Sequence, residues 1–277
     1  MNKSRRRKIS RTQKSSSGNR TALIVFILIL FGGCAYAFYP RYKKPLKRFW
    51  NTYLSNPNSR SNHHPRKVKT PTPEGNAYGI DVSKHQGEID WKKVRTWNDK
   101  KLQFVYVKAT EGSTLRDKKY VYNLLKAKQN GFKVGSYHYY IPWADPDAQF
   151  EHFYNRIQPY HQDLLPMIDL EDRRYVSKKQ YLKNLRQFLQ LCEDKFQRKP
   201  ILYSLQSFYN QNFSGEFSDY KWVMARYSNR PPNLSDDHPW FLWQFTHQGV
   251  VDGIDNYVDV NVLGDGYSLK QIEWKRR

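Results

Sequence analysis

From Tyr78 onward the chain repeats one unit, a short apolar run of four to six residues followed by a polar or helix-patterned stretch. The runs are Tyr78 to Val82, Phe104 to Lys108, Val134 to Tyr139, Met167 to Glu171, Ile201 to Ser204, Trp222 to Arg226, Phe241 to Phe245 and Tyr257 to Val260. Each is too short for a buried helix and of the right length for a strand. Helical periodicity fills the early gaps, over Trp91 to Trp97, Tyr120 to Gln129, Asp147 to Ile157 and Lys178 to Phe196, whereas the later gaps are helix-poor. Alternation of strand and helix implies a parallel sheet, and eight strands are enough to close one. The expectation is an α/β fold, an irregular (β/α) barrel of about five βα units followed by three strands with little helix.

The residues before Tyr78 have a different texture. Residues 1–20 hold eight Lys or Arg and no acid, a composition that cannot bury a core and reads as a basic cytoplasmic tail. Ala22 to Tyr39 then runs without a charge, so residues 21–39 are expected to form a single transmembrane signal anchor. Ala35-Tyr36-Ala37 resembles a signal-peptide cleavage site and Gly32-Gly33-Cys34 a lipoprotein box, so a secreted protein or a lipoprotein is the alternative. All three readings place residues 78–277 outside the cytoplasm, in the periplasm or at the cell surface. Residues 40–77 are basic and rich in Pro, Ser and Asn, and read as a linker. The pair His63-His64 has no further metal ligands near it in sequence.

The formal charge of +22 invites a nucleic-acid reading, and its distribution argues against one. Residues 1–77 carry 17 of the 47 Lys and Arg against one acid, Glu74, leaving the other 200 residues at only +6. Mild positive charge favours approach to an anionic polymer such as a cell wall. Cys34 and Cys192 are the only cysteines and lie in unrelated patterns, which excludes a disulfide framework. Cys192 falls on the apolar face of the fourth helical pattern and is expected to pack there.

In a βα barrel the reacting groups gather at the carboxyl ends of the strands. Asp81, Lys108, Tyr137, His138, Tyr139, Asp169, Glu171, Tyr203, Arg226, Tyr227, Trp243, Gln244, Asp259 and Asn261 all lie at or near the ends of the expected strands. Asp169 and Glu171, two residues apart, would share a face of one strand. Carboxyls held that close cannot both ionise freely, which suits an acid working beside an anion. Carboxyls ringed by aromatics suit a carbohydrate, whose C–H faces stack on aromatic rings.

The run YGIDVSKHQGEIDW from Tyr78, VKATEG ending at Gly112, GSYHYY from Gly135, LPMIDLED around Asp169, ILYS from Ile201, then WQF and DVN, resembles glycoside hydrolase family 25 in content and order. These are lysozymes that cleave the β-1,4 bond between N-acetylmuramic acid and N-acetylglucosamine in peptidoglycan. The resemblance implies catalytic roles for Asp81, Asp169, Glu171 and Asp259, with Glu171 as general acid and Asp169 assisting. Tyr137, His138, Tyr139, Tyr203, Trp243, Gln244 and Lys108 are expected to bind substrate. No cofactor, metal or nucleic acid is implied, and the expected partners are glycan strands and, through residues 21–39, a membrane, with the chain a monomer. His85 departs from the family pattern, in which an aromatic often precedes the first-motif glutamine. A tethered module that binds peptidoglycan without cleaving it is the competing reading.

Overall fold

The computed structural model describes residues 72–158 and 160–275, so the tail and anchor expected over residues 1–39, and nearly all of the linker, lie outside the described residues. Among the described residues no helix is long and apolar enough to cross a membrane. The chain runs β1 (Tyr78–Val82), β2 (Thr96–Trp97), β3 (Lys100–Glu111), β4 (Leu115–Arg116), α1 (Tyr120–Gln129), β5 (Lys133–Tyr139) and α2 (Pro146–Ile157). It continues through β6 (Met167–Asp169), α3 (Lys178–Phe196), β7 (Ile201–Leu205), α4 (Gln206–Asn212), β8 (Trp222–Ala225), β9 (Leu242–Gly249) and β10 (Val258–Leu263).

Eight of these strands close into a barrel. From β1 through β3, β5, β6, β7, β8 and β9 each neighbour is parallel, and β10 closes the ring antiparallel to both β9 and β1. Closure leaves no strand edge in need of a partner. All eight expected strands are present, while β2 and β4 are short additions paired to β3. The direction of β10 brings its beginning, not its end, to the mouth where the parallel strands finish.

Helices cover the outside where their apolar faces have somewhere to go. Ser177 caps α3 by accepting a hydrogen bond from the Gln180 backbone N–H, and Gln197 ends it in the left-handed region at φ 54°. Between these ends Tyr181, Leu185, Phe188, Leu189, Cys192 and Phe196 form the buried stripe, with burial pushing the Cys192 thiol well above its usual pKa. Asp145 caps α2, and Pro146 sits in its first turn. Phe150 of α2 meets the Phe188 ring edge-on at a centroid separation of 6.3 Å, joining the two helices over β5.

Three expectations are corrected. Trp91 to Trp97 is not a helix. Trp91, Val94 and Trp97 are all buried, which mimics a helical face, but the chain turns at Asp90–Lys93 and then enters a hairpin. The hairpin turns on Asn98 and Asp99, both at positive φ (44° and 63°), as a two-residue loop between twisted strands requires. Helices therefore follow four of the barrel strands rather than five, and α4 fills a gap between β7 and β8 expected to be helix-poor. Strand β6 ends at Asp169, so Glu171 stands just beyond the strand rather than on it.

The barrel floor is aromatic. Gly79 and Gly135 lack the Cβ that would sit 2.4 Å from the Phe104 and Tyr106 rings respectively, and these rings fill the interior below the strand ends. Tyr106 donates to the Leu165 carbonyl at 3.0 Å, which satisfies its buried hydroxyl. By strand alternation Asp81 shares the inward face with Gly79, and Tyr137 and Tyr139 share it with Gly135. The polar site thus rests directly on a packed apolar plug. Gly135→Ala is expected to destabilise the fold by about 1–3 kcal/mol through overpacking against Tyr106. Urea denaturation measures it, and a midpoint equal to wild type would show that the floor has slack.

Candidate active site

Adjacent strands deliver the acids to one place. Register pairs Asp81 of β1 with Asp259 of β10, and Asp169 of β6 with Tyr139 on one side and Tyr203 on the other. Asp81 and Asp169 are each only 8% exposed, so both carboxyls are almost removed from water. Glu171 and Asp259 are half-buried toward the mouth.

A hydrogen-bonded chain fixes the first pair. Gln244 Nε2 and Asn261 Nδ2 donate to the same oxygen, Asp81 Oδ2, at 2.9 and 2.8 Å. The Gln244 amide cannot turn round, because its Oε1 accepts from the hydroxyls of both Tyr203 and Tyr227 at 2.9 Å each. Asp81 and Asp259 share a further hydrogen bond, so the two carboxyls titrate as a pair that holds a proton between them. Burial pushes both carboxyls above their usual range, Asp259 well above.

The second pair is set by burial and by each other. Asp169 is raised well above the carboxylate range, first by burial and then by the charge of Glu171, with Lys108 opposing. Glu171 is raised by burial, while its hydrogen bond with the Tyr203 hydroxyl and the Lys108 ammonium partly offset the rise. Two such carboxyls titrate as a unit and hold a proton to higher pH than either would alone. Asp169 Oδ1 is buried and finds no hydrogen-bond partner among the described residues. Together the four acids form a site able to donate a proton, accept one and stabilise developing positive charge at one locus.

The expected binding residues divide by strand face. Tyr137 lies among the acids, its phenol raised first by burial and then by Asp81, Asp169 and Asp259. Lys108 bridges to Glu111 at 2.7 Å and lies 4.9 Å from the Tyr139 ring centroid, placing both at the mouth. Tyr203 and Gln244 belong to the chain just described. His138 does not join them. Alternation turns it outward from β5, where it is wholly buried between Phe153 and Phe188 with its Nδ1 2.8 Å from Thr110 Oγ1. Burial pushes its pKa down to about 3, so it is a neutral packing residue. Trp243 is likewise outward, since Gln244 next to it faces in. It packs edge-on against Trp240 and Phe245 and donates to the Arg226 carbonyl at 2.8 Å. Tyr227 and Asn261 were not among the expected binding residues. Asn261 stands two residues from Asp259, the spacing that keeps a strand residue on the same face, whereas Tyr227 lies beyond β8 where no periodicity speaks. Among the described residues no group of His, Cys, Asp or Glu is arranged to hold a metal ion.

Native carboxyls that hold protons unfolded ones release make stability fall as pH rises above about 4, where an unfolded Asp ionises. Asp259→Asn keeps an N–H donor toward Asp81 and removes a buried titration. It is expected to raise the melting midpoint near pH 7, with a smaller gain or none at about pH 3, where the unfolded Asp is also protonated. Calorimetry at the two pH values checks this, and a loss of stability near pH 7 would contradict it.

The geometry can be set beside known proteins. The family model described as glycosyl hydrolases family 25 matches residues 80–254. The uncharacterized protein YegX of Escherichia coli K12 is 37% identical over 188 residues, covering 67% of this chain and 69% of its own length. The autolytic lysozyme of Clostridium acetobutylicum is 31% identical over 188 residues, covering 68% of this chain and 56% of that protein. Among solved structures, a family 25 glycosyl hydrolase from Bacillus anthracis aligns with TM-score 0.63 at 28% identity, over 74% of this chain and 95% of that one. The bacterial lysozyme of Streptomyces coelicolor aligns with TM-score 0.64 at 26% identity, over 73% and 96% of the two chains. The four acids, the closed barrel that gathers them and these matches agree: the chain belongs to glycoside hydrolase family 25 and is a glycoside hydrolase of the lysozyme kind.

Proposed function

We propose that the barrel hydrolyses the β-1,4 bond between N-acetylmuramic acid and N-acetylglucosamine in peptidoglycan, with Glu171 as general acid. The observation that carries this reading is the buried pair Asp169 and Glu171, both held above the carboxylate range, with Glu171 the outer member. A proton kept on Glu171 passes to the leaving oxygen as the glycosidic C–O bond breaks. Asp169 is too enclosed to work on bulk water, and its unpartnered Oδ1 suits the N–H of a substrate acetamido group. Accepting that N–H, it turns the acetamido carbonyl oxygen onto the anomeric carbon, where a cyclic intermediate forms. Water then opens the ring and returns a proton to Glu171. Asp81, steadied by Gln244 and Asn261, stabilises positive charge at the anomeric carbon, with Asp259 holding the proton between them.

This route retains anomeric configuration, because the carbon is displaced twice. Activation of a water by Asp169 in a single displacement would invert it. We also propose that the barrel works outside the cytoplasm, held there by residues 21–39, since its polymer substrate is extracellular.

Three outcomes test the reading. The full-length protein incubated with peptidoglycan is expected to release new reducing ends, and Glu171→Gln to slow release by about 10²–10⁴-fold. Binding without release by the wild-type protein would identify a wall-binding module instead. Proton NMR of the first products is expected to show the β-anomer, and an α-anomer would rule out assistance by the acetamido group. Activity is expected to fall as pH rises through the acid's elevated pKa, since the proton donor is then lost. A rate still rising above neutral pH would contradict Glu171 as acid.

A further inference from the structure

Beyond Glu171 the chain makes a short loop whose backbone is strained. Arg174 sits at φ 41°, in the left-handed region that a long side chain rarely adopts. Asp172 holds it there, accepting from the Arg174 backbone N–H at 2.8 Å and pairing with its guanidinium. That guanidinium lies over the Trp143 ring, 4.6 Å from its centroid. Trp143 belongs to the connection between β5 and α2, and β5 is the strand that pairs with β6 at Tyr139 and Asp169. The two loops that meet are therefore the ones leaving the strand ends beside the proposed acid.

Trp143 is 48% exposed, whereas the other tryptophans among the described residues are buried or half-buried. What sets this indole apart is the clamp, which fixes its orientation before any ligand arrives and so lowers the ordering cost of binding to it. Its clamp also narrows the chemistry it can serve. The charge of Arg174 is already met by Asp172, so the pair does not offer a free cation to an anionic ligand. What the loop presents is a flat apolar surface held at a fixed angle.

We propose that Trp143, positioned by Arg174 and Asp172, is a stacking platform for a pyranose ring of the glycan strand, one or more sugars away from the scissile bond. The proposal rests on the reading of the site as a glycan-cleaving one. Trp143 takes no part in the hydrogen bonds that hold Asp81 and orient Gln244, so it acts on how long strands bind and not on the bond-breaking step. Remote binding of that kind sets affinity for polymer while leaving the rate at saturation alone.

The experiment separates binding from cleavage. Full-length wild-type, Trp143→Ala, Trp143→Phe and Arg174→Gly proteins are assayed on soluble glycan strands of many disaccharides and on a substrate of two disaccharides. Trp143→Ala is expected to raise KM for long strands roughly tenfold, the loss of about 1.4 kcal/mol of stacking, with kcat within about twofold of wild type. The short substrate is expected to respond less, and Trp143→Phe to recover most of the affinity. Arg174→Gly relieves the strained φ, so it is expected to keep or raise the melting midpoint while still raising KM for long strands. An unchanged KM in Trp143→Ala, or equal losses on both substrates, would overturn the platform. Equilibrium binding of long strands to Glu171→Gln, with and without Trp143→Ala, distinguishes the two readings. Weaker binding with the second substitution upholds the platform even if the wild-type protein releases no fragments, and equal binding removes it.

Discussion

The seam where β1 meets β10 sets two carboxyls face to face, Asp81 and Asp259, and the rest of the site takes its geometry from how that pair is held. Like charges in such a position repel unless a proton or donors intervene. Here both do, with a proton held between the two carboxyls and two amide donors fixed on Asp81 Oδ2. The donors come from β9 and β10, and Gln244 is in turn oriented by hydroxyls from Tyr203 and Tyr227. One hydrogen-bonded chain thus links β1, β7, β9, β10 and the segment after β8. Closing the barrel and assembling the site are the same act.

Below this polar layer lies a floor of Phe104 and Tyr106, admitted by glycines on β1 and β5. The contrast has an energetic sense. Carboxyls set above a dry floor lose hydration, which raises their pKa values and leaves them protonated where free carboxyls would be ionised. The same burial that keeps these carboxyls protonated costs stability at neutral pH. Stability and function pull against each other at these residues, and the aromatic shell of α2 and α3 around Phe188 supplies packing that offsets the loss.

Much of this was readable from residues alone, for physical reasons. Apolar runs of four to six residues marked all eight barrel strands, because a buried strand has nowhere to place polar side chains. Helices α1 and α3 matched their periodic patterns from end to end, since each buries a continuous stripe. The Trp91 to Trp97 segment misled because burial every third residue is not unique to helices, while the turn-forming Asn98-Asp99 carried the better signal. His138 and Trp243 misled in another way. Their chemistry suited a sugar site, yet each stands next to an inward residue, Tyr137 and Gln244, and neighbours on a strand face opposite ways. The direction of β10 could not be read, because a period of two looks the same from either end, so Asp259 reached the mouth by a route the pattern does not encode.

If these four acids break one kind of bond, the chemistry of the fragments reports that bond directly. Peptidoglycan digested by the full-length protein, reduced with borohydride and analysed by mass spectrometry, is expected to yield fragments ending in reduced N-acetylmuramic acid, with a far smaller yield over the same time from Glu171→Gln. Fragments ending in reduced N-acetylglucosamine, or equal yields from the variant, would contradict the account.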